Sequence, residues 1–95
     1  MRVIAKQTLT EQYKVFTDCQ EALERWYKLM SKNNFKNLAE LRKVFPHADS
    51  VDDLTVFNIS GNKYRLIVKI IYQFQRVYIG YFLTHAEYDK NKWKE

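Results

Sequence analysis

Hydrophobic and polar positions divide the chain into two parts with different periods. Before residue 46, large apolar residues recur at steps of three and four, which places them on one face of an α-helix. From Leu54 onward, β-branched and aromatic residues dominate, and the pattern becomes that of strands. The pattern therefore predicts helices followed by strands, which is an α+β arrangement.

Three helices are predicted in the first part. Each begins with a capping residue three positions before a Glu, because the two side chains can then satisfy free backbone N–H groups. The pairs are Thr8 with Glu11, Asp18 with Glu21, and Asn37 with Glu40. The apolar stripes are Leu9, Tyr13 and Phe16; Leu23, Trp26, Tyr27 and Met30; and Leu38, Leu41 and Phe45. We interpret these stripes as core, and Pro46 as the end of the third helix.

The second part predicts an antiparallel meander of three strands. The strands are LTVFNI at 54–59, YRLIVKIIY at 64–72 and RVYIGYFLT at 76–84, joined by turns at 60–63 and 73–75. The segment RVIA at 2–5 is predicted as an edge strand, and HADSVDD at 47–53 as a polar loop. Thr84 and Glu87 repeat the capping pattern, so a short C-terminal helix should follow, with the tail KNKWKE frayed.

The strand at 64–72 predicts how the layers pack. Alternation places its apolar residues on one face of the sheet, where the helical stripes can cover them. We expect a two-layer α+β sandwich with a mainly antiparallel four-stranded sheet, and one domain spanning residues 1–95. The other face carries Arg65 and Lys69 together with Ile67 and Ile71, and should stay partly open to solvent.

The composition indicates the cellular compartment and the kind of partner to expect. One cysteine, Cys19, cannot form an internal disulfide and favours a reducing compartment. With no signal-peptide pattern and no apolar run of membrane-spanning length, we expect a cytoplasmic protein without membrane contact. A formal net charge of +5 favours a polyanion such as nucleic acid, or an acidic partner, although a merely basic surface explains it equally well.

A candidate site lies where the cationic sheet face meets the C-terminal helix. His85 and Tyr88 fall three apart on the first turn of that helix, close to the face that carries Arg65 and Lys69. Each residue alone has an ordinary explanation, namely solubility, surface exposure or packing. Together they predict a site without metal, because no Cys or acidic cluster is nearby and His47 falls in a different context.

Three short motifs stand out in the second part of the chain. They are Phe57-Asn58-Ile59, then Gly61-Asn62 with Arg65, and the terminal Thr84-His85-x-Glu87-Tyr88-Asp89. These motifs resemble those of the HigB-type toxins of bacterial toxin–antitoxin modules, within the RelE/ParE superfamily. The resemblance covers nearly the whole chain. It implies a RelE-like fold and an mRNA interferase that needs no cofactor, acts typically on the translating ribosome and is restrained by a cognate HigA-type helix-turn-helix antitoxin.

The resemblance also implies roles for individual residues. Arg65 would stabilise the charge on the phosphate, and His85 would act as acid or base. Tyr88 would orient the nucleophile, share proton transfer or stack on a base. The predicted RNA-binding residues are Asn62, Lys63, Lys69 and Arg76.

The chain departs from the family pattern in its last strand. The family sequence reads Tyr-Ile-Arg, with that arginine facing the site, whereas residues 78–80 here read Tyr-Ile-Gly. Strand parity places Gly80 on the face of Arg76 and Tyr78, where an arginine should fit. Either another cation substitutes, or the protein is attenuated, or it is a non-catalytic module that binds an antitoxin or RNA. A simple RNA-binding domain that uses stacking aromatics is a further alternative.

Overall fold

The computed structural model describes residues 1–4, 17–61, 63–90 and 93. It is an α+β protein, as predicted. Its elements are β1 (Arg2–Ile4), a 3₁₀ turn (Thr17–Cys19), α1 (Gln20–Lys32), α2 (Leu38–Val44), β2 (Asp49–Val51), β3 (Leu54–Ile59), β4 (Tyr64–Ile71), a 3₁₀ turn (Tyr72–Phe74), β5 (Arg76–Thr84) and α3 (His85–Asp89).

Two predictions lie outside the described residues. They are the helix predicted from Thr8 and Glu11 and the predicted site residue Asn62. No helix within those described residues is long and apolar enough to cross a membrane.

The sheet has five strands in the order β1-β5-β4-β3-β2. The predicted meander of β3, β4 and β5 is antiparallel, and β1 lies parallel to β5. The prediction of four strands is wrong by one, because Asp49–Val51 forms an edge strand against β3 instead of a loop. Asp49 and Ser50 are exposed and Val51 is half-buried, so this short strand carries no apolar alternation for sequence reading to detect.

Two of the three described helices begin at their predicted caps. Asn37 Oδ1 accepts from the Glu40 backbone N–H at 3.0 Å, and Thr84 and Glu87 form a complete capping box. The predicted cap at Asp18 is wrong. Its carboxylate instead accepts from the Tyr64 hydroxyl at 2.7 Å, so a contact with β4 replaces the local capping bond.

The main core lies between the helices and one face of the sheet, and it confirms the predicted stripes of α1 and α2. The helices bury Leu23, Trp26, Met30 and Leu41 in it, and the sheet contributes Phe57, Ile59, Leu66, Val68 and Val77. The Trp26 and Phe57 rings meet edge to face, with centroids 5.5 Å apart. This packing fixes the sheet against the helices and leaves the opposite face for other contacts.

The opposite face of the sheet, predicted to stay partly open to solvent, is partly covered by the C-terminal segment. Trp93 is 6% exposed and packs there with Val56 and Ile67. Its ring stacks on Tyr88 with centroids 5.2 Å apart, and its Nε1 donates to Tyr88 O at 3.1 Å. The prediction of a frayed tail is therefore wrong at Trp93, because Val56 and Ile67 offer this large ring an apolar surface to cover.

Candidate functional site

The ends of β4 and β5 bring four predicted site residues to one end of the sheet. Arg65 pairs with Leu83, so the beginning of β4 lies beside the end of β5. The next element, α3, starts directly after β5, and the His85 backbone N–H donates to Lys63 O at 2.9 Å. Lys63, Arg65, His85 and Tyr88 therefore lie at the same end of the sheet.

Arg65 is buried, with 8% of its surface exposed, although the sequence placed it on a face expected to stay partly open to solvent. Its Nη1 donates to Tyr64 O at 3.0 Å, and its Cζ lies 5.6 Å from the centroid of the Tyr88 ring. The Tyr88 ring accounts for the burial of Arg65, because Tyr88 and the Trp93 ring stacked on it cover this part of the sheet. A hydrogen bond and a cation–π contact compensate part of the cost of taking the guanidinium out of water.

His85 is held by a carboxylate that sequence reading did not single out. Its Nδ1 lies 2.9 Å from Asp89 Oδ2, one turn further along α3, and both side chains are about half exposed. A carboxylate next to Nδ1 favours the tautomer that carries its proton there, so Nε2 is left to act on a ligand. The spacing of four residues was the available signal, because it places two side chains together on a helix.

The two predicted lysines are engaged in exposed ion pairs. Lys63 Nζ lies 3.1 Å from Asp18 Oδ2, and Lys69 Nζ lies 3.4 Å from Asp53 Oδ2. Exposed pairs of this kind contribute little stability, so either lysine can exchange its carboxylate for a phosphate at small cost. Lys63 lies beside His85, whereas Lys69 lies four residues beyond Arg65 on β4.

Arg76 is not brought to this end of the sheet. It pairs with Ile71, six residues from Arg65 along β4, which corresponds to about 20 Å of strand. Its Cζ lies 5.7 Å from the Phe74 ring centroid instead. Arg76 therefore lies apart from Lys63 and Arg65, and its assignment as an RNA-binding residue stays a prediction.

Gly80 is the extra residue of a β-bulge. Tyr81 pairs with Ile67 and Ile79 with Val68, so Gly80 has no residue opposite it in β4. A Cβ at this position would lie 3.0 Å from the Ile67 carbonyl oxygen, which is tighter than an ordinary contact. The expectation that an arginine fits here without cost is therefore wrong, and glycine has a packing reason to be present.

The hydrogen bond between Tyr64 and Asp18 changes the ionisation of both groups. It lowers the pKa of Asp18, with Lys63 adding to the effect, and it is the main cause that raises the pKa of Tyr64 to about 12. Asp18 lies just before α1, and Tyr64 begins β4 next to Arg65. The bond therefore connects the helical layer to the strand that carries the site.

The described part of the chain holds no group of three or more His, Cys, Asp and Glu side chains that could hold a metal ion. The donors and acceptors present at this end of the sheet are a guanidinium, an ammonium, an imidazole with its carboxylate, and a phenol. These groups can bind an anion and exchange a proton with it.

A small α+β protein with an arginine, a histidine and a tyrosine at one end of its sheet fits the class of RelE-like toxins. Comparison with known families agrees with the resemblance seen in the motifs. Residues 19–91 match the HigB toxin family, described as the RelE-like toxic component of a toxin–antitoxin system, and the chain belongs to this family.

Curated relatives extend over nearly the whole chain. An mRNA interferase toxin HigB of Escherichia coli is 29% identical over 92 residues, covering 94% of this chain and 88% of the relative. An mRNA interferase HigB of Shigella flexneri matches to the same extent, 29% over 92 residues. Another mRNA interferase HigB, from a different Escherichia coli strain, is 28% identical over 93 residues, covering 95% of this chain and 90% of the relative.

Proposed function

We propose that this protein is an endoribonuclease that cleaves mRNA through attack of a ribose 2′-OH on the adjacent phosphate. Membership of the HigB toxin family and relatives named mRNA interferase support the activity. The observation that carries the proposal is the His85–Asp89 pair at the same end of the sheet as the fixed guanidinium of Arg65. Together they supply a proton-exchanging group and a cation at one end of the sheet.

The reaction assigns a role to each group. The 2′-oxygen loses its proton and forms a bond to phosphorus, the bond to the 5′-oxygen breaks, and that oxygen takes up a proton. Arg65 stabilises the negative charge that develops on the phosphate oxygens, and His85 exchanges a proton through Nε2. The products are a 2′,3′-cyclic phosphate and a 5′-hydroxyl, and only RNA supplies the nucleophile.

Tyr88 has a positioning role in this scheme. Its ring lies over the Arg65 guanidinium on one side of the site and is stacked on Trp93. It limits the directions that the guanidinium can take, so the cation is oriented before the substrate binds. Lys63, exposed next to His85, contacts a neighbouring phosphate.

The partners follow from the same proposal. The protein acts in the cytoplasm on messages that ribosomes are translating, and the net charge of +5 favours association with this polyanionic target. A HigA-type helix-turn-helix antitoxin holds it inactive. Inducing the protein in a bacterial host should arrest growth, and co-expression of the antitoxin should relieve the arrest.

A second candidate function is a toxin relative that binds antitoxin or RNA without cleaving it. The burial of Arg65 favours this alternative, because a guanidinium that is 8% exposed has little surface to offer a phosphate. The glycine at position 80, where the family pattern has an arginine, also favours the alternative without cleavage.

Cleavage assays separate the two candidates. Purified protein is incubated with mRNA, with and without ribosomes, and the cut ends are analysed. We expect 2′,3′-cyclic phosphate ends, and we expect His85→Ala to lower the rate by about 10²- to 10⁴-fold, the contribution of a general acid or base. His47→Ala is the matched control, since His47 is the chain's other histidine and is exposed in the loop after α2. Intact RNA under every condition would contradict the proposal.

A further inference from the structure

A cavity of about 350 Å³ opens beside the proposed active site. Among the described residues, it is lined by Tyr81, Leu83, Glu87, Lys90 and Trp93. Leu83 is the register partner of Arg65, and Glu87 belongs to the same helix as His85. The cavity is therefore adjacent to the site, although the proposed function gives none of its lining residues a contact with RNA.

The bulge at Gly80 is what brings Tyr81 to this cavity. The extra residue shifts the alternation of β5 by one, so Tyr81 lies opposite Ile67 and shares the face of Arg65. The side chain of Tyr81 is not buried there, because the residue is 45% exposed. Without the bulge, strand parity would turn Tyr81 toward the helices.

The cavity combines flat apolar walls with a polar rim of both charges. Tyr81, Leu83 and Trp93 provide the apolar part, and the Glu87 carboxylate and Lys90 ammonium provide the rim. A nucleobase has the matching properties, namely an aromatic face for stacking and an edge that carries both donors and acceptors. An apolar peptide side chain would leave both charged groups without a matching partner.

We propose that this cavity binds the base of a nucleotide adjacent to the phosphate that is cleaved, with Tyr81 as the stacking residue. This inference rests on the proposed function and adds a base-recognition site to it. Lys90 donates to a ring nitrogen or carbonyl oxygen of the base. Glu87 Oε1 already accepts from Thr84, so Oε2 is the atom that accepts an N–H of the base.

The distances along β5 agree with this assignment. Tyr81 lies two residues before Leu83, the partner of Arg65, which corresponds to about 7 Å of strand. A base held at Tyr81 can therefore belong to a nucleotide next to a phosphate held at Arg65. Tyr78 lies on the same face but three residues earlier, about 10 Å away along β5, and does not line the cavity.

Binding of RNA that cannot be cleaved tests the inference without requiring activity. The probes are four 2′-O-methyl tetranucleotides, each made of a single base, whose Kd values are measured for the parent and its variants. We expect the parent to distinguish the four probes, and Tyr81→Ala to raise the Kd of the preferred one by about 5- to 150-fold, the range for one stacked base. Tyr81→Phe keeps the ring and should bind like the parent.

Two further variants distinguish base binding in this cavity from non-specific stacking on exposed aromatic residues of the same face. Tyr78→Ala removes an exposed tyrosine of the same face and should leave the Kd values unchanged. Glu87→Gln keeps the helix cap but adds a donor at the rim, so it should change the order of preference among the four bases. Melting curves check that each variant is folded.

Each outcome decides one of the two proposals. If the parent cleaves mRNA while Tyr81→Ala matches it in Kd and base preference, the inference is overturned and the proposed function stands. If the parent leaves mRNA intact while its RNA binding depends on Tyr81, the assignment of the cavity as a base-binding site is supported and the proposed function is contradicted. Equal losses in Tyr78→Ala and Tyr81→Ala would also overturn the inference, since the whole face would then bind RNA without a defined pocket.

Discussion

Arg65 is a charged side chain that the fold has largely removed from water. Its hydrogen bond to Tyr64 O and the Tyr88 ring fix the direction of the guanidinium. A cation that is already oriented needs no reorganisation when charge develops on a phosphate, which is the condition under which one donor contributes most. Strand parity identified the face of this residue, whereas the Tyr88 ring that lies over its guanidinium is 23 positions away in sequence.

We expect Arg65→Ala to abolish cleavage and toxicity and also to lower the free energy of unfolding by about 1–3 kcal/mol, because truncation removes a buried hydrogen-bonded group. Chemical denaturation and cleavage assays measure the two effects. Lys69→Ala is the control for stability, since this exposed residue of the same strand should change it by about 0.5 kcal/mol or less. An Arg65→Ala variant that keeps wild-type toxicity would remove Arg65 from the reaction.

Under the proposed mechanism, Asp89 acts through His85, and its removal should affect turnover more than binding. In Asp89→Asn the amide can present its N–H₂ to Nδ1, which favours the wrong tautomer of the imidazole. We expect kcat to fall by about 10-fold, as for other orienting partners, which is less than the 10²- to 10⁴-fold loss of a general acid or base itself. KM for mRNA should stay close to the parent's value. A larger change in KM than in kcat would assign Asp89 to RNA binding instead.

The bulge in β5 has two consequences for the site. It turns Tyr81 toward the face of Arg65, and it brings the backbone at Gly80 close to the Ile67 carbonyl. The predicted bounds of β5 are correct, but the prediction of an uninterrupted alternation from Arg76 to Thr84 is wrong. A bulge depends on the pairing of two strands, so the sequence of β5 alone does not reveal it.

A cation at position 80 should increase activity at a cost in stability. We expect Gly80→Arg to raise the cleavage rate by about 10²-fold, the scale of one preorganised charge-stabilising donor. We also expect the contact with Ile67 O to lower the free energy of unfolding by about 1 kcal/mol, as crowding does in packed regions.

Gly80→Ala is the matched control, because it introduces the same Cβ without the charge. Its stability should fall as in the arginine variant, while its cleavage rate should stay near that of the parent. Rates are compared at a temperature at which all three proteins are folded. Equal rates for Gly80→Arg and Gly80→Ala would show that a charge at this position does not contribute to the reaction.

Local patterns predicted most elements of this fold, and long-range contacts explain the rest. Apolar periodicity and caps gave α1, α2, α3 and the three long strands, because these signals lie within a few residues. The strand at Asp49–Val51 was missed, since its pairing with β3 rather than its composition defines it. At the site, the motif located Arg65, His85 and Tyr88, but not the ring of Trp93 that packs against Tyr88.

Near the site, a hydrogen bond whose strength depends on pH joins the beginning of the helical layer to the sheet. The Tyr64 hydroxyl donates to Asp18 Oδ1 at 2.7 Å, and Lys63 Nζ lies 3.1 Å from the other carboxylate oxygen. Asp18 precedes α1 while the other two residues begin β4, so the cluster connects the ends of two elements that are far apart in sequence. Its ionisation therefore affects the packing of the two layers next to Arg65.

Tyr64→Phe should remove this pH dependence from both sides. The folded pKa of Asp18 is lowered, so its contribution to stability is present above the ordinary pKa near 3.8 and is lost as pH falls below it. The folded pKa of Tyr64 is raised to about 12, so its contribution is present below the ordinary value of 10.0 and is lost as pH rises through about 12. We expect the Tm of the parent to exceed that of Tyr64→Phe between these limits, and the difference to shrink below pH 3.8 and above pH 10. Tyr72→Phe is the control on the acid side, because the Tyr72 hydroxyl is buried with no hydrogen-bond partner within the described residues, so its removal breaks no such bond. Burial raises the pKa of Tyr72 as well, so on the alkaline side this variant also loses a pH-dependent contribution and is not compared there. A Tm difference between the parent and Tyr64→Phe that stays constant from pH 3 to pH 11 would contradict the assignment of this bond as the link between the layers.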